Sequence, residues 1–552
     1  MSRPISRPNV VLVLADDMGF SDIGCYGGEI STPNLDRLAA HGVRMAQFYN
    51  TARCSPSRAS LLTGLHPHQT GVGVLTYADL PDAYPGVLND RCVTLAEVLG
   101  AAGYSTWMAG KWHLTGSRAE PDAAWPTRRG FHRFFGTIDG AANYFNPTSL
   151  HRDETPVPES ELPDDFYYTE AIAGAAVGFI TDHATGRADD RPFFLYTAFT
   201  APHWPLHAPD DDVAAVAGRY DAGWDVLRAR RHRRLVDEGI LDPAWTPNDR
   251  DPEVPAWADT EHRAWEARRM EVYAAQVEAM DRGIGRIVAA LDDAGELDDT
   301  IFLFLSDNGG CAEGQGAGYM DEVGDRIDSM RVRTRRGERI YRGNVPGVLP
   351  GPETTYGSYG RAWANLSNTP FREYKHWVHE GGIATPLVVH WPAGIAESGV
   401  IRQQPFQLPD ILATVLDATG VDYPGSGPDR GPDTGQDSDP DRAPLPPEGR
   451  SMLDAWRTDR TDPGHTLYWE HEGNAALRRG RWKLVRKYPG DWELYDIEAD
   501  RTETRDRAAD HPETVAELAR AYQTWADRCG VLPRDQVIAV RDAHPSWIAR
   551  QR

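Results

Sequence analysis

Short apolar runs alternate with helix-length stretches along the first two thirds of the chain. Val10 to Leu14 reads Val-Val-Leu-Val-Leu without a polar break, the pattern of a strand covered on both faces of a parallel sheet. Pro192 to Phe199 and Thr300 to Leu305 repeat that pattern, with a helical stretch from about Trp265 to Leu291 between them. Thr32-Pro33 opens a helix that places Leu35, Leu38 and Ala39 on one side and stops at Gly42. Thr94-Leu-Ala-Glu97 has capping-box spacing, ahead of a helix ending near Gly103 and a strand from Tyr104 to Ala109. The alternation predicts an α/β fold with a large, mostly parallel sheet between helices.

The pattern changes after Tyr423. Residues Tyr423 to Arg450 are rich in Pro, Gly and Asp and have no period, which predicts a surface insertion in a domain spanning 1–449. Beyond it, Tyr468 to Glu472, Trp482 to Val485 and Trp492 to Tyr495 read as short strands and Pro512 to Arg528 as an amphipathic helix. Residues 450–552 are therefore expected to form a smaller α+β domain with an antiparallel sheet. The stretches from about Asp210 to Arg263 and from Gly310 to Thr369 are long enough to be lids or specificity loops. The basic run Arg228 to Arg234 is expected on a solvated helix face.

With 552 residues, 40% hydrophobic and 25% charged, the composition is that of a globular protein large enough for two cores. A formal charge of −24 argues against nucleic acid and anionic membrane as partners, because both would repel it. Five scattered cysteines without C-x-x-C spacing suggest neither a disulfide framework nor a thiolate zinc site. The apolar run near the N-terminus is too short for a signal segment and no run reaches membrane-span length, so a cytoplasmic location is expected.

Chemistry enters at the predicted strand ends. Ligands of open α/β sheets gather beyond the carboxyl ends of strands, and Asp16, Asp17, Lys111, His113, His203, Asp307 and Asn308 all fall there. Asp16, Asp17, Asp307 and Asn308 offer oxygen ligands alone, the hard set that suits Ca²⁺, with Mg²⁺ as the alternative. Cys54 precedes Pro56, which suits the first turn of a helix, and Gly64, which suits its end. A lone cysteine is usually a small buried hydrophobe, but a helix N-terminus favours anionic chemistry.

These motifs carry a resemblance. Cys54-Ser-Pro-Ser-Arg58, followed by Ala-Ser-Leu-Leu-Thr-Gly64, resembles the signature of type I sulfatases, in which the C-x-P-x-R cysteine is oxidised to formylglycine (3-oxoalanine). Asn9 to Gly19, Gly110-Lys-Trp-His113, Ala201-Pro-His-Trp-Pro205, Ser306 to Gly310, Lys375 to Gly382 and His471 to Arg478 agree with that family, the last with bacterial arylsulfatases. The resemblance implies an alkaline phosphatase-like sandwich and hydrolysis of sulfate monoesters by a formylglycine gem-diol. It implies a metal held by Asp16, Asp17, Asp307, Asn308 and modified Cys54, with a formylglycine-generating enzyme as partner. Arg58 would hold the diol, Asp307 would also take the nucleophile's proton, and His113 would collapse the hemiacetal sulfate. Lys111, His203 and Lys375 would bind sulfate, with His203 protonating the leaving oxygen. Lys111 and His113 are expected on one side of an extended segment. His207, His376, His379 and Glu380 read as wall or support. A phosphate or phosphonate ester hydrolase of the same superfamily and a non-catalytic binder of sulfated ligands are the alternatives.

Overall fold

The computed structural model describes residues 7–76, 80, 83–117, 120–186, 191–323, 330–425, 443–459 and 465–543. An eleven-stranded sheet runs through its larger part. At the centre, Asn9–Ala15 lies parallel to Thr300–Ser306 on one side and to Phe193–Ala198 on the other, and Ser105–Gly110 and Arg133–Thr137 continue in parallel beyond the latter. Beyond Thr300–Ser306, Ala384–His390 runs antiparallel, and Val43–Tyr49 pairs antiparallel with it.

The unbroken apolar runs form strands because each strand feeds two cores. Val11 and Val13 join Phe302, Phe304, Phe193 and Leu195 on one face, covered by the helices Tyr168–Thr185 and Arg263–Asp293. Val10, Leu12 and Leu14 join Leu303, Leu305, Phe194 and Tyr196 on the other, with Leu61 and Leu62 of the helix Cys54–Thr63 and Leu412 of the helix Pro409–Thr419. At roughly 25 cal/mol per Å² of apolar area removed from water, each fully covered Val, Leu or Phe contributes about 1.5–3 kcal/mol.

The C-terminal part is a four-stranded antiparallel sheet: Thr466–His471, Asn474–Arg479, Trp482–Arg486 and Glu493–Asp496. One face packs on the helix Pro512–Cys529 through Leu477, Leu484 and Trp525. Trp469, Ala476 and Val485 join the large core. Leu453–Arg457 and Met452 pack with the Pro409–Thr419 helix beneath the large sheet. Residues 426–442 of the Pro/Gly/Asp-rich stretch lie outside the described residues, while 443–450 cross the surface, with Glu448 N donating to Gly64 O at 2.8 Å.

The basic run departs from its expectation. Gly223–Asp237 is a helix, but Arg231 is fully buried, paired at 2.7 Å with both Asp22 and Glu29. Arg228, also buried, donates to Asn248 O at 3.0 Å. Arg231 is structural, because its partner Asp22 also accepts from Gly19 N at 2.8 Å and from Tyr273 Oη at 2.7 Å, which fixes the loop after Asp16 and Asp17. Among the described residues no helix is long and apolar enough to cross a membrane.

Candidate active site

Backbone hydrogen bonds continue past the strand ends and draw the loops together. Asp16 N donates to Ala201 O at 3.1 Å, Asp307 N to Ala15 O at 3.1 Å and Lys111 N to Ala198 O at 2.8 Å. Gly110 sits at φ 112°, and a Cβ there would stand 1.9 Å from Ala198 O, so glycine alone lets this strand turn to deliver Lys111. Because Ala384–His390 runs antiparallel, the segment preceding it arrives at the same sheet end: Lys375 N donates to Gly310 O at 3.2 Å and His376 N to Ala52 O at 2.7 Å. This reversed strand is what places Lys375 opposite Asp17.

Cys54 is the first residue of a buried ten-residue helix and is itself 3% exposed. Its thiol lies among cations, near enough to act electrostatically on Arg53, Arg58 and Lys375. Arg58, one turn on, donates from Nη2 and Nε to Asp307 Oδ2 at 2.7 and 3.1 Å and from Nη1 to Lys111 O at 2.8 Å. Lys111 Nζ stands 2.5 Å from Asp16 Oδ2, and Lys375 Nζ 2.6 Å from Asp17 Oδ1. Asn308 Nδ2 donates to the same Asp17 Oδ1 at 2.6 Å.

Three buried oxygens in this cluster accept no hydrogen bond: Asp16 Oδ1, Asp17 Oδ2 and Asn308 Oδ1. Buried acceptors are normally satisfied, and three orphans converging from two strand ends fit a hard divalent cation. Donor atoms of Asp16, Asp17 and His203 lie within 4.8 Å of one another. Asp307 is brought to the site with its oxygens engaged, Oδ2 by Arg58 and Oδ1 by Asp17 N at 3.3 Å.

The protonation states follow from burial and charge. Burial opposes ionisation of Asp17, yet the Lys375 charge, helped by the Asn308 hydrogen bond, outweighs it and holds the carboxyl below its usual range. Asp307 is pushed up to about 6 by burial and the neighbouring Asp16 charge, against the pull of Arg58 and Lys111. Burial drives His203 down to about 3, and its Nδ1 donates to Trp204 O at 2.5 Å, so Nε2, 3.5 Å from Asp17 Oδ2, is the lone-pair nitrogen. His113 lies well below the ordinary histidine value through burial first, then Lys111 and Arg58.

One local expectation fails. His113 does not alternate with Lys111 along extended backbone, because Trp112 N and His113 N donate to Thr137 O and Ile138 O while His113 turns left-handed at φ 56°. Its ring lies over Gly140, where a Cβ would stand 2.3 Å from Nε2. His207 is a supporting residue, with Nε2 donating to Thr355 O at 2.6 Å. Glu380 and His379 are buried toward the C-terminal sheet: Lys483 Nζ stands 2.8 Å from Glu380 Oε1, and Arg501 Nε donates to Glu380 Oε2 at 2.9 Å.

A cavity of about 430 Å³ is lined by Lys375 together with Arg53, Glu313, His376 and Glu472. Residue type and spacing alone assign no chemical role to Arg53, Glu313 or Glu472. The positive φ of Glu472 (52°) and His376 (92°) is a structural signal with no trace in residue type.

A family profile described as Sulfatase matches residues 8–421. An arylsulfatase of Klebsiella aerogenes is 36% identical over 75% of this chain and 87% of its own length. An uncharacterized sulfatase of Schizosaccharomyces pombe is 32% identical over 95% of this chain and 94% of its own. Among solved structures, Ps i-CgsB in complex with k-i-k-neocarrahexaose superposes with a TM-score of 0.65 at 22% identity, covering 99% of this chain and 98% of that one. That family generally uses a metal ion and formylglycine. With its cation-lined cysteine at a helix start and its oxygen cluster at the sheet's carboxyl end, the chain belongs to the sulfatase family and is a sulfuric ester hydrolase.

Proposed function

We propose that this chain hydrolyses sulfate monoesters of the arylsulfatase type through a formylglycine made from Cys54 by a formylglycine-generating enzyme, with Ca²⁺, or alternatively Mg²⁺, as its metal. The observation that carries the reading is the convergence of three unpartnered oxygens and two buried lysines at the carboxyl end of the sheet that also presents Cys54. Asp16, Asp17, Asp307 and Asn308 would hold the cation, which when bound neutralises charge on the sulfate oxygens and favours ionisation of a hydroxyl beside it. Formylglycine at position 54, when present and hydrated, would supply two hydroxyls on one carbon, one a nucleophile toward sulfur and the other a group whose loss of a proton would release sulfate.

The chain's own side chains do the rest. Arg58, fixed by bonds to Asp307 and Lys111 O, orients residue 54 from one helical turn away. Lys111 and Lys375, already desolvated, bind sulfate oxygens with little reorganisation. Asp307 receives the nucleophile's proton. His113, kept neutral by its surroundings, takes the proton of the second hydroxyl. His203 would take up a proton at Nε2, its affinity for that proton raised when an anion occupies the site, and deliver it to the leaving oxygen.

The test is sulfate release from 4-nitrophenyl sulfate by protein expressed with a formylglycine-generating enzyme, with mass spectrometry of the Cys54 peptide. The expected results are loss of the thiol mass, turnover of the sulfate well above that of an aryl phosphate diester, and no turnover by Cys54→Ala. An unmodified thiol in protein that still releases sulfate would overturn the nucleophile, and faster cleavage of the phosphate diester would favour the phosphoester alternative.

A further inference from the structure

The cavity beside Lys375 takes one wall from the C-terminal sheet. His471 and Asn474 are register partners, so Glu472 and Gly473 alone connect their strands, and both have positive φ, 52° and 88°. A two-residue hairpin loop left-handed at both positions favours Asn, Asp or Gly at the first. Glutamate is a poor choice for that backbone, and an outlier retained at a cavity points to a role for the side chain. The facing residue, His376, is also left-handed, and its Nδ1 lies 3.3 Å from Glu472 Oε2. Arg534 Nη1 holds the other oxygen at 2.8 Å.

Donor atoms of His376, His471 and Glu472 lie within 4.8 Å of one another, which raises the question of a second metal. The hydrogen bonding around them opposes it. Asn474 Oδ1 accepts from Tyr488 N at 3.1 Å, so its Nδ2 faces His376 Nε2 at 3.3 Å and that nitrogen is an acceptor. A metal on Nδ1 would leave the imidazole proton on Nε2, pointing at another N–H, whereas ligating histidines give that proton to an acceptor. The network leaves the imidazole proton on Nδ1, the nitrogen that faces Glu472 Oε2 at 3.3 Å, and leaves the carboxylate with unused lone pairs.

The lining sets charged side chains beside Leu75, Ala312 and Trp377: Arg53 and Glu313 pair at 2.7 Å, and Arg361 lines the same cavity. Burial opposes ionisation of Glu313, but Arg53 and Lys375 hold its carboxyl down to about 2. A leaving group without polar atoms would strip water from these groups and return no hydrogen bonds. One with neighbouring hydroxyls would donate to Glu472 and Glu313 and accept from Arg53.

We propose that Glu472, presented by the strained hairpin and buttressed by His376 and Arg534, reads hydroxyls on the alcohol side of the ester, so that the preferred substrates are sulfates of sugars or other polyols rather than of apolar alcohols. The inference rests on the sulfatase reading above. The test uses the full-length, formylglycine-bearing protein and compares a panel of monosaccharide monosulfates with cyclohexyl sulfate, which has a ring of similar size and no hydroxyls, and with 4-nitrophenyl sulfate. Wild-type kcat/KM is expected to be at least about 100-fold higher for the best sugar sulfate than for cyclohexyl sulfate, since a site built to bond hydroxyls discriminates strongly against their absence. Glu472→Asn suits the turn and removes the carboxylate. Its melting temperature should be no lower than wild type, while the ratio of sugar sulfate to 4-nitrophenyl sulfate kcat/KM falls about 10- to 100-fold, the loss expected for one hydrogen bond to a charged group. Cyclohexyl sulfate matching every sugar sulfate, or an unchanged ratio in Glu472→Asn, would overturn the assignment of Glu472 and leave the sulfatase reading standing. No turnover of any ester, 4-nitrophenyl sulfate included, would overturn both.

Discussion

Gly140→Ala tests the placement of His113 without touching its chemistry. An added Cβ would stand 2.3 Å from His113 Nε2 and 2.4 Å from Cε1. Ordinary carbon contacts begin near about 3.5 Å, so the ring must retreat by roughly 1 Å. The backbone cannot absorb the shift easily: Trp112 N and His113 N are tied to Thr137 O and Ile138 O at 2.9 and 3.1 Å, and His113 already sits at φ 56°. A displacement of that size in a positioned catalytic group costs on the order of 10²-fold in rate, about 2.7 kcal/mol of barrier. Overpacking should also lower stability by about 1–3 kcal/mol. The assay is kcat for 4-nitrophenyl sulfate, normalised to the formylglycine fraction found by peptide mass spectrometry, with thermal melting alongside. Gly178→Ala is the control, since nothing lies within 4 Å of a Cβ there and the residue is in the Tyr168–Thr185 helix, where alanine is favoured by about 1 kcal/mol. If Gly140 acts through His113, the double variant Gly140→Ala, His113→Ala should be no slower than His113→Ala alone. A Gly140→Ala enzyme within about threefold of wild type, or additive losses in the cycle, would refute the placement.

Three other outcomes are expected. His203→Ala should cost on the order of 10²-fold more in kcat/KM for an alkyl sulfate than for 4-nitrophenyl sulfate, whose leaving group needs little protonation; equal losses would contradict its role as leaving-group acid. Lys483→Met removes the fully buried partner of Glu380 and Glu503, at 2.8 and 2.7 Å, and should destabilise the fold by about 3–5 kcal/mol, read as a shifted denaturant midpoint; an unchanged midpoint would count against the clamp. Acid should unfold the protein in two stages, seen as falling melting temperatures across pH 8 to 3. His66 is driven down to about 3 by burial, so the unfolded chain takes up its proton first and stability drains as pH falls below about 6.5. Glu380 is held to about 2 because Lys483 and Arg501 outweigh burial, so its contribution stands above about 4.5 and is lost toward 2; a flat melting temperature from pH 8 to 4 would refute the histidine part.

The central strands are legible in the sequence because each is covered twice. When alternate residues of Asn9–Ala15 feed opposite cores, the run must be apolar throughout, and few other elements look like that over so short a span. Other strands of the same sheet are not legible, among them the two that continue it beyond Thr300–Ser306. Val43–Tyr49 carries Arg44 and Gln47, and Ala384–His390 carries Pro386, where the register with Val43–Tyr49 shifts between Thr385 and Leu387. A proline without an N–H is tolerated in a strand at such an irregularity, and in the sequence it reads as a break. The Cys54–Thr63 helix has no amphipathic period because all ten residues are buried, so only Pro56 and Gly64 betray it. Catalytic candidates are readable since their motifs are local. Arg231 defeats a sequence reading because its neighbours are exposed and its partners, Asp22 and Glu29, are far away along the chain.

The C-terminal sheet is more than an accessory. Lys375 lies five residues before Glu380, the first residue of the helix Glu380–Ile383, and Glu380 is buried between Lys483 and Arg501 with Tyr49 Oη donating to it at 3.0 Å. Trp469 Nε1 donates to Asn50 O at 2.9 Å, just ahead of the loop that delivers Cys54. Without Lys483 on the third strand and Arg501 just beyond the fourth, Glu380 would be a buried carboxylate with no countercharge, a state that costs more than the pair contributes. The strands after Thr466 therefore support the segment around Glu380 and, through Glu472, supply one wall of the cavity that Lys375 also lines. If Lys375 binds sulfate and Glu472 reads the alcohol, as proposed, both depend on the same C-terminal part of the chain, and a change in one should be felt in the other.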